Sequence, residues 1–245
     1  MTYRIEYTGF CIKGPRRRNN EDNLLCAGTC LPAVHEDFTL AVNQTTVGDD
    51  RWLAVFDGMG GEAKGEYASF LSARAMAKAS AGTKDPGRIT REMNQAVCDY
   101  AASQQSPRMG STVAAVCFSE TGITGFNVGD SRCYRMRKGC LQRLSKDHAR
   151  PVAAGNQKLL TQHIGIEESD FTLEPHLFRS DCRAGDQYLL CTDGVTDQIM
   201  DRKIREILAA PASLGEKLGA LRSRLEARGV PDNSTALLVR IAEGD

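Results

Sequence analysis

Three features of the chain predict an α+β fold of two antiparallel sheets face to face, with helices packed outside. Strand-like runs are joined by hairpin turns such as Glu120-Thr121-Gly122 and Arg137-Lys138-Gly139. Helical segments come in pairs, and the order runs strands, two helices, strands, two helices, strand. Paired helices between runs of strands do not suit the strict alternation of a parallel βαβ fold. No Pro/Gly/Ser-rich linker and no internal repeat interrupts the 245 residues, so a single domain over 1–245 is expected. A chain of that length can bury a substantial core.

Taken in order, residues 3–12 alternate enough to be a strand, and the basic run Lys13 to Arg18 leads into Asn19-Asn20-Glu21-Asp22-Asn23. The apolar segment Leu24 to Ala27 follows. From Leu31 to Asp50 the chain is polar with one apolar patch, Phe38 to Val42, and reads as a hairpin excursion or surface insertion. Leu53 to Phe56 reads as a buried strand that runs into Asp57 and then into a turn, Gly58-Met59-Gly60-Gly61. These glycines allow positive φ and close approach of the backbone to an ion or phosphate. Taken alone, the Asp-Gly pair is a tight turn.

Glu62 to Ala81 is Ala-rich with Tyr67, Phe70, Leu71 and Ala75 at helical spacing, which predicts a helix on a sheet. Asp85-Pro86 reads as N-cap and first residue of a second helix, with Ile89, Met93, Ala96, Val97 and Tyr100 on one face. Strands are then predicted at Thr112 to Phe118, Gly122 to Asn127, Cys133 to Met136 and Cys140 to Leu144. Asp147 to Gln162 is irregular and polar. Further strands are predicted at Phe171 to Leu177 and Gln187 to Thr192, the latter delivering Asp193 to a turn at Gly194. Helices follow at Arg202 to Ala209 and Leu214 to Ala227. Ser213 and Glu216 stand in capping-box register there, and Leu214, Leu218, Leu221 and Leu225 form one stripe. Asp232-Asn233-Ser234 opens the last strand, Thr235 to Ile241.

Charge and composition narrow the function. Lys plus Arg equals Asp plus Glu, 31 each, so neither a nucleic-acid nor a membrane-surface partner is suggested. The N-terminal six residues lack the apolar core of a signal peptide, and no apolar run approaches membrane-spanning length; a soluble cytoplasmic protein is expected. Nine cysteines, an odd number scattered through strand-like segments, suggest small buried hydrophobes in a reducing compartment. Cys26 and Cys30 are spaced like half of a zinc site, but no matching Cys/His pair follows.

Asp22, Asp57, Asp130, Asp193 and Asp232 each stand beside a strand-like segment. Acidic groups gathered at one edge of a core repel one another and resist desolvation, which raises their pKa values unless a counter-charge is present. A divalent cation is the simplest neutraliser, and an all-oxygen set suits Mg or Mn, with no EF-hand spacing to favour calcium. Spacing alone does not decide whether the five converge.

The residues Arg17-Arg18-Asn19-Asn20-Glu21-Asp22, Asp57-Gly58-Met59-Gly60-Gly61, Gly110-Ser111-Thr112, Val128-Gly129-Asp130-Ser131-Arg132, Cys191-Thr192-Asp193-Gly194 and Asp232-Asn233-Ser234-Thr235 occur in the order seen in PP2C-like metal-dependent serine/threonine phosphatases. From about Gly9 to Val239 the chain resembles a compact bacterial member of that family. The resemblance implies a four-layer α-β-β-α sandwich and a binuclear Mn or Mg centre that activates water for hydrolysis of phosphoserine and phosphothreonine. By position, Asp57 would bridge the metals, and Gly58 would offer its carbonyl to one. Asp193 and Asp232 would hold the first, and Glu21 would approach the second. Asp22 would orient water, Asp130 with Asp193 would form a third, weaker site, and Arg17 would grip phosphate, its planar fork matching the phosphate oxygens. Arg16 and Arg18 match no family role. A phosphoprotein substrate, a bacterial Ser/Thr kinase to be opposed and a monomeric state are the implied partners and assembly.

Three departures bear on mechanism. Many eukaryotic members carry a general-acid His after the Asp-Gly pair, where this chain has Met59, and neither His148 nor His163 fits that role by spacing. The segment between His148 and Leu160-Thr161, which forms the flap beside the site in the family, is short, and Glu62 stands where many bacterial members carry His. Two other functions remain open: a catalytically inactive regulatory domain that binds a phosphoprotein, and a phosphatase for a small metabolite.

Overall fold

The computed structural model describes residues 3–46, 52–59, 64–104, 109–119, 122–152, 158–167 and 172–244. Along the chain, β1 (Tyr3–Ile12), β2 (Asp22–Cys26), β3 (Thr29–Cys30), β4 (Phe38–Thr46) and β5 (Trp52–Met59) lead into α1 (Gly65–Ser80) and α2 (Pro86–Ser103). Next come β6 (Gly110–Ser111), β7 (Val113–Ser119), β8 (Gly122–Val128), β9 (Arg132–Arg137) and β10 (Cys140–Arg143). Then follow β11 (Ala149–Pro151), β12 (Lys158–Leu160), β13 (His176–Ser180) and β14 (Gln187–Cys191). The short α3 (Asp193–Thr196), α4 (Asp201–Ala209), α5 (Leu214–Glu226) and β15 (Ser234–Glu243) complete the chain.

One sheet has the order β10-β9-β14-β15-β1-β4 and the other β13-β8-β7-β5-β2-β3, with β6 paired to β5 and β11 to β12. The pairings within both large sheets are antiparallel. Side chains alternate across a strand, and here both faces are covered. Leu53 and Val55 of β5 meet Leu237 and Val239 of β15 between the sheets, while Trp52, Ala54 and Phe56 pack with α1 and α2. Phe10, Ile12 and Leu238 face the stripe Leu214, Leu218, Leu221 and Leu225 of α5. Three apolar layers thus separate four structural layers, the predicted α-β-β-α sandwich.

Caps formed by neighbouring residues stand where the sequence places them. Asp85 accepts a hydrogen bond from Gly87 N at 3.0 Å, and Ser213 with Glu216 completes the capping box of α5. Cys26 and Cys30 sit on the β2–β3 hairpin, and no disulfide forms among the described cysteines. The patch from Phe38 belongs to β4, the edge strand on β1, rather than to a detached insertion.

Other expectations shift. The buried face of α1 is Ala68, Leu71, Ser72, Met76 and Ala79, rotated from the predicted stripe, because small side chains let the helix approach β5 closely. Tyr67 moves to the flank and stacks on Tyr100 of α2, ring centroids 5.5 Å apart. The strand expected from Phe171 begins at His176, and Phe171 itself lies outside the described residues. The polar stretch after Asp147 contains the β11–β12 hairpin. Asp193 opens α3 rather than a turn. Asp57 and Gly58 remain inside β5, where Gly58 pairs with Ser111 of β6; Gly60, Gly61 and Glu62 lie outside the described residues.

Candidate active site

Period-two alternation explains where the acidic residues gather. Asp57 shares the inter-sheet face of β5 with Leu53 and Val55, and Asp22 shares that of β2 with Leu24 and Cys26. β2 and β5 pair with Asp22 opposite Asp57. On the facing sheet, Thr192 follows Tyr188 and Leu190, and Thr235 precedes Leu237 and Val239. The inner faces therefore turn from apolar to polar at one end of the sandwich. A cavity of about 750 Å³ opens there, lined by Arg17, Glu21, Asp57, Gly58, Asp130, Asp193 and Asp232.

Asp22 is the predicted residue that does not line the cavity. It is 1% exposed, and its Oδ2 accepts hydrogen bonds from Thr192 Oγ1 at 2.9 Å and Thr235 Oγ1 at 2.7 Å. Burial pushes its carboxyl up to about 8 against the pull of those two hydroxyls.

The backbone around Gly58 is crowded. Gly58 N donates to Glu21 O at 3.0 Å, and an added Cβ would lie 2.0 Å from Gly65 O and 2.5 Å from Glu21 O. Its φ is not positive, so the glycine serves close approach alone. Glu21 then reaches the start of α1, where its carboxylate accepts from the Gly65 backbone, a favourable place for negative charge. Burial and then the neighbouring Glu66 nonetheless raise its pKa.

Asp57 and Asp193 face each other across the two sheets. Burial, then the Asp193 charge, holds Asp57 well above the carboxylate range; burial likewise raises Asp193. Burial and Asp193 push Asp130 up to about 7, with Lys158 opposing. Arg17 is ion-paired with Asp232. Burial works against its charge, but Asp232, Glu21 and Asp57 outweigh it and raise its pKa.

Backbone clamps hold these groups. Thr112 N donates to Asp57 O at 2.8 Å, Thr112 Oγ1 accepts from Asp57 N at 3.1 Å, and the same hydroxyl bonds Ser131 at 2.6 Å, tying β5 to the Asp130 loop. Asn233 Oδ1 accepts from Gly14 N at 3.1 Å and its Nδ2 donates to Asn19 O at 3.2 Å, sewing the Arg17 loop to the start of β15. Arg16 and Arg18 are exposed.

The tertiary structure adds residues that spacing did not single out. Lys158 of β12 lines the cavity and donates to Asp197 Oδ1 at 2.6 Å. His163 also lines it, beside Met59, whereas His148 Nδ1 accepts from Gly129 N at 3.2 Å and serves the Asp130 loop. A long apolar–polar pattern is the signal sequence reading uses, and a single side chain at the end of a short hairpin carries none.

Oxygen-rich donors with buried, mutually repelling carboxylates fit a hard divalent cation. Among the described residues no three His, Cys, Asp or Glu side chains form a ready metal cage. Asp57 and Asp193 are turned to each other and Asp232 to Arg17.

Facing antiparallel sheets flanked by helix pairs, with an acidic, arginine-bearing cleft where the inner faces end, define a class of sandwich proteins fitted to a cation and an anionic ligand. The protein phosphatase 2C family model matches residues 33–229, well over half of the chain, and the chain belongs to that family. The serine/threonine protein phosphatase PstP of Mycobacterium tuberculosis is 28% identical over 272 residues, covering 100% of this chain, which spans 46% of that relative's length. The serine/threonine phosphatase Stp of Listeria monocytogenes is 28% identical over 212 residues, 76% of this chain and 83% of the relative. A crystal structure of the PstP catalytic domain in complex with two manganese ions superposes with a TM-score of 0.75 at 26% identity, covering 98% of this chain and 100% of that one.

Proposed function

We propose that the chain hydrolyses phosphoserine and phosphothreonine in proteins, with two Mn²⁺ or Mg²⁺ ions held in the cleft. The convergence of Asp57, Asp130, Asp193, Asp232 and Glu21 with Arg17 around one open cavity carries this reading. The names of the relatives and the manganese in the PstP structure support it.

In this reading Asp57 serves both ions and the Gly58 carbonyl one of them. Asp193 and Asp232 hold the first, Glu21 approaches the second, and Asp130 with Asp193 offers a third, weaker site. When bound, such ions neutralise phosphate charge and make water a stronger acid. Arg17, its side chain 46% exposed, turns from Asp232 to the phosphate and holds two oxygens with its planar fork. Asp22, behind the wall and opposite Asp57 in the β2–β5 pair, would orient the attacking water through Asp57; Thr192 and Thr235 fix its carboxyl. An exposed rim of Val152 and Leu159 leaves room for a phosphorylated segment of a protein. A single domain acting as a cytoplasmic monomer, opposing a Ser/Thr kinase, completes the proposal. No described helix is long and apolar enough to cross a membrane.

With Mn²⁺, the purified protein should release phosphate from a phosphothreonine peptide, and Asp193→Asn should slow this by on the order of 10³-fold. Full activity in that variant would overturn the metal assignment. Phosphopeptide binding without turnover at any Mn²⁺ or Mg²⁺ concentration would instead establish an inactive phosphoprotein-binding domain.

A further inference from the structure

We propose that His163 is the general acid that protonates the departing serine or threonine oxygen, an inference that rests on the phosphatase reading above. An alkoxide is a strongly basic leaving group, so its departure is helped by a positioned proton donor. The cleft holds few candidates. The Arg17 guanidinium does not give up its proton in a protein, Met59 has none to give, Lys158 is committed to Asp197, and in the phosphatase reading the cleft carboxylates are taken up by the ions. Of the four histidines in the chain, His163 is the one that lines the cavity. His148 is spent on Gly129 N, His35 bonds two backbone carbonyls, and His176 reaches Leu144 O.

The ring of His163 is seated by the fold. Its Nδ1 lies 3.0 Å from Ile164 O, and a carbonyl only accepts, so Nδ1 carries a proton and Nε2 is the nitrogen left for the cleft. Ile164 is itself fixed by reciprocal backbone bonds with Ser111, at 3.0 and 2.8 Å. Gly110 makes room for the imidazole: a Cβ there would lie 2.5 Å from His163 Nδ1 and 3.0 Å from Met59 Cε. Gly110 pairs with Met59 in the β5–β6 ladder, so the imidazole stands against the strand that presents Asp57.

The step balances as follows. The water oxygen forms a bond to phosphorus, the ester P–O bond breaks, and its electron pair goes to the serine or threonine oxygen. That oxygen takes the Nε2 proton of the imidazolium. The proton shed by the water passes to solvent, which recharges the neutral imidazole.

The test compares two substrates of different leaving-group basicity. In His163→Gln, turnover of a phosphothreonine peptide should fall about a hundredfold, while that of p-nitrophenyl phosphate, whose phenolate leaves without a proton, should fall far less. An equal fall on both substrates, or on neither, would overturn the assignment. If the variant fails to fold, a series of aryl and alkyl phosphates with the wild-type protein decides. A rate nearly independent of leaving-group basicity supports the acid, and a steep dependence overturns it. Wild-type protein inactive on every substrate would sink the phosphatase reading itself, an outcome distinct from loss of the His163 role alone.

Discussion

The dipeptide Asp-Gly occurs at the active end of both sheets, and the two copies are built differently. Asp57-Gly58 continues β5 and pairs with β6, whereas Asp193-Gly194 ends the β14 run and starts α3. Neither glycine has the positive φ that the dipeptide suggests in a turn. Both are there for space: a Cβ on Gly58 would lie 2.0 Å from Gly65 O, and one on Gly194 would lie 1.9 Å from Asn233 O. The same local sequence thus solves one problem twice, bringing a carboxylate to a point where another backbone crosses close behind it. The two carboxyls then meet each other between the sheets.

Alanine at each glycine tests that equivalence with the largest expected effect. Gly58→Ala and Gly194→Ala each force backbone against backbone and should destabilise by about 1–3 kcal/mol, read as a lower midpoint in urea. Phosphatase activity should be lost well before the protein unfolds, because Asp57 or Asp193 is displaced. A Gly58→Ala variant of wild-type activity and stability would break the comparison.

The Arg17 contact separates the two ends, since its partner Asp232 lies on the β15 side with Asp193. Arg17→Lys keeps the charge and loses the fork, so KM for a phosphopeptide should rise about tenfold. Unchanged KM would place phosphate recognition elsewhere.

The smallest expected effect sharpens the link between the carboxyls. Asp22, Asp57, Asp130 and Asp193 all have pKa values raised on folding. At these four groups the folded chain binds more protons than the unfolded one, so the stability they contribute is greatest below the ordinary Asp value. It declines as pH rises from about 4 toward the range of Asp130 and Asp22, about 7 and 8. Metal-stripped protein should therefore melt at progressively lower temperature from pH 5 to 8, and Mn²⁺ should flatten that slope. A slope of opposite sign in the stripped protein would contradict the buried-carboxylate account.

Legibility in the sequence followed the range of the interaction. The Asp85 cap and the Ser213–Glu216 box involve residues two and three apart, and both formed where expected. The α1 stripe was misphased because which face is buried depends on how closely β5 and β2 approach, and small Ala and Ser side chains outweigh the aromatics. His163 and Lys158 enter the cleft through the β11–β12 segment and the Ser111–Ile164 bridge, pairings that no periodicity announces.

The sequence by itself determined most of the long strands, the paired helices, the caps of α2 and α5 and the supply of aspartates at strand ends, because alternation and capping are local and act within a few residues. Only the tertiary structure decided which aspartates share a cavity and which stands behind it. Asp22 is held by Thr192 and Thr235, 170 and 213 residues away, and such contacts exist only once the two sheets are face to face. The Asp-Gly pair of β5 looked like a turn for the same reason: the backbone that forbids a side chain on Gly58 comes from Gly65 and Glu21, brought there by packing rather than by the dipeptide.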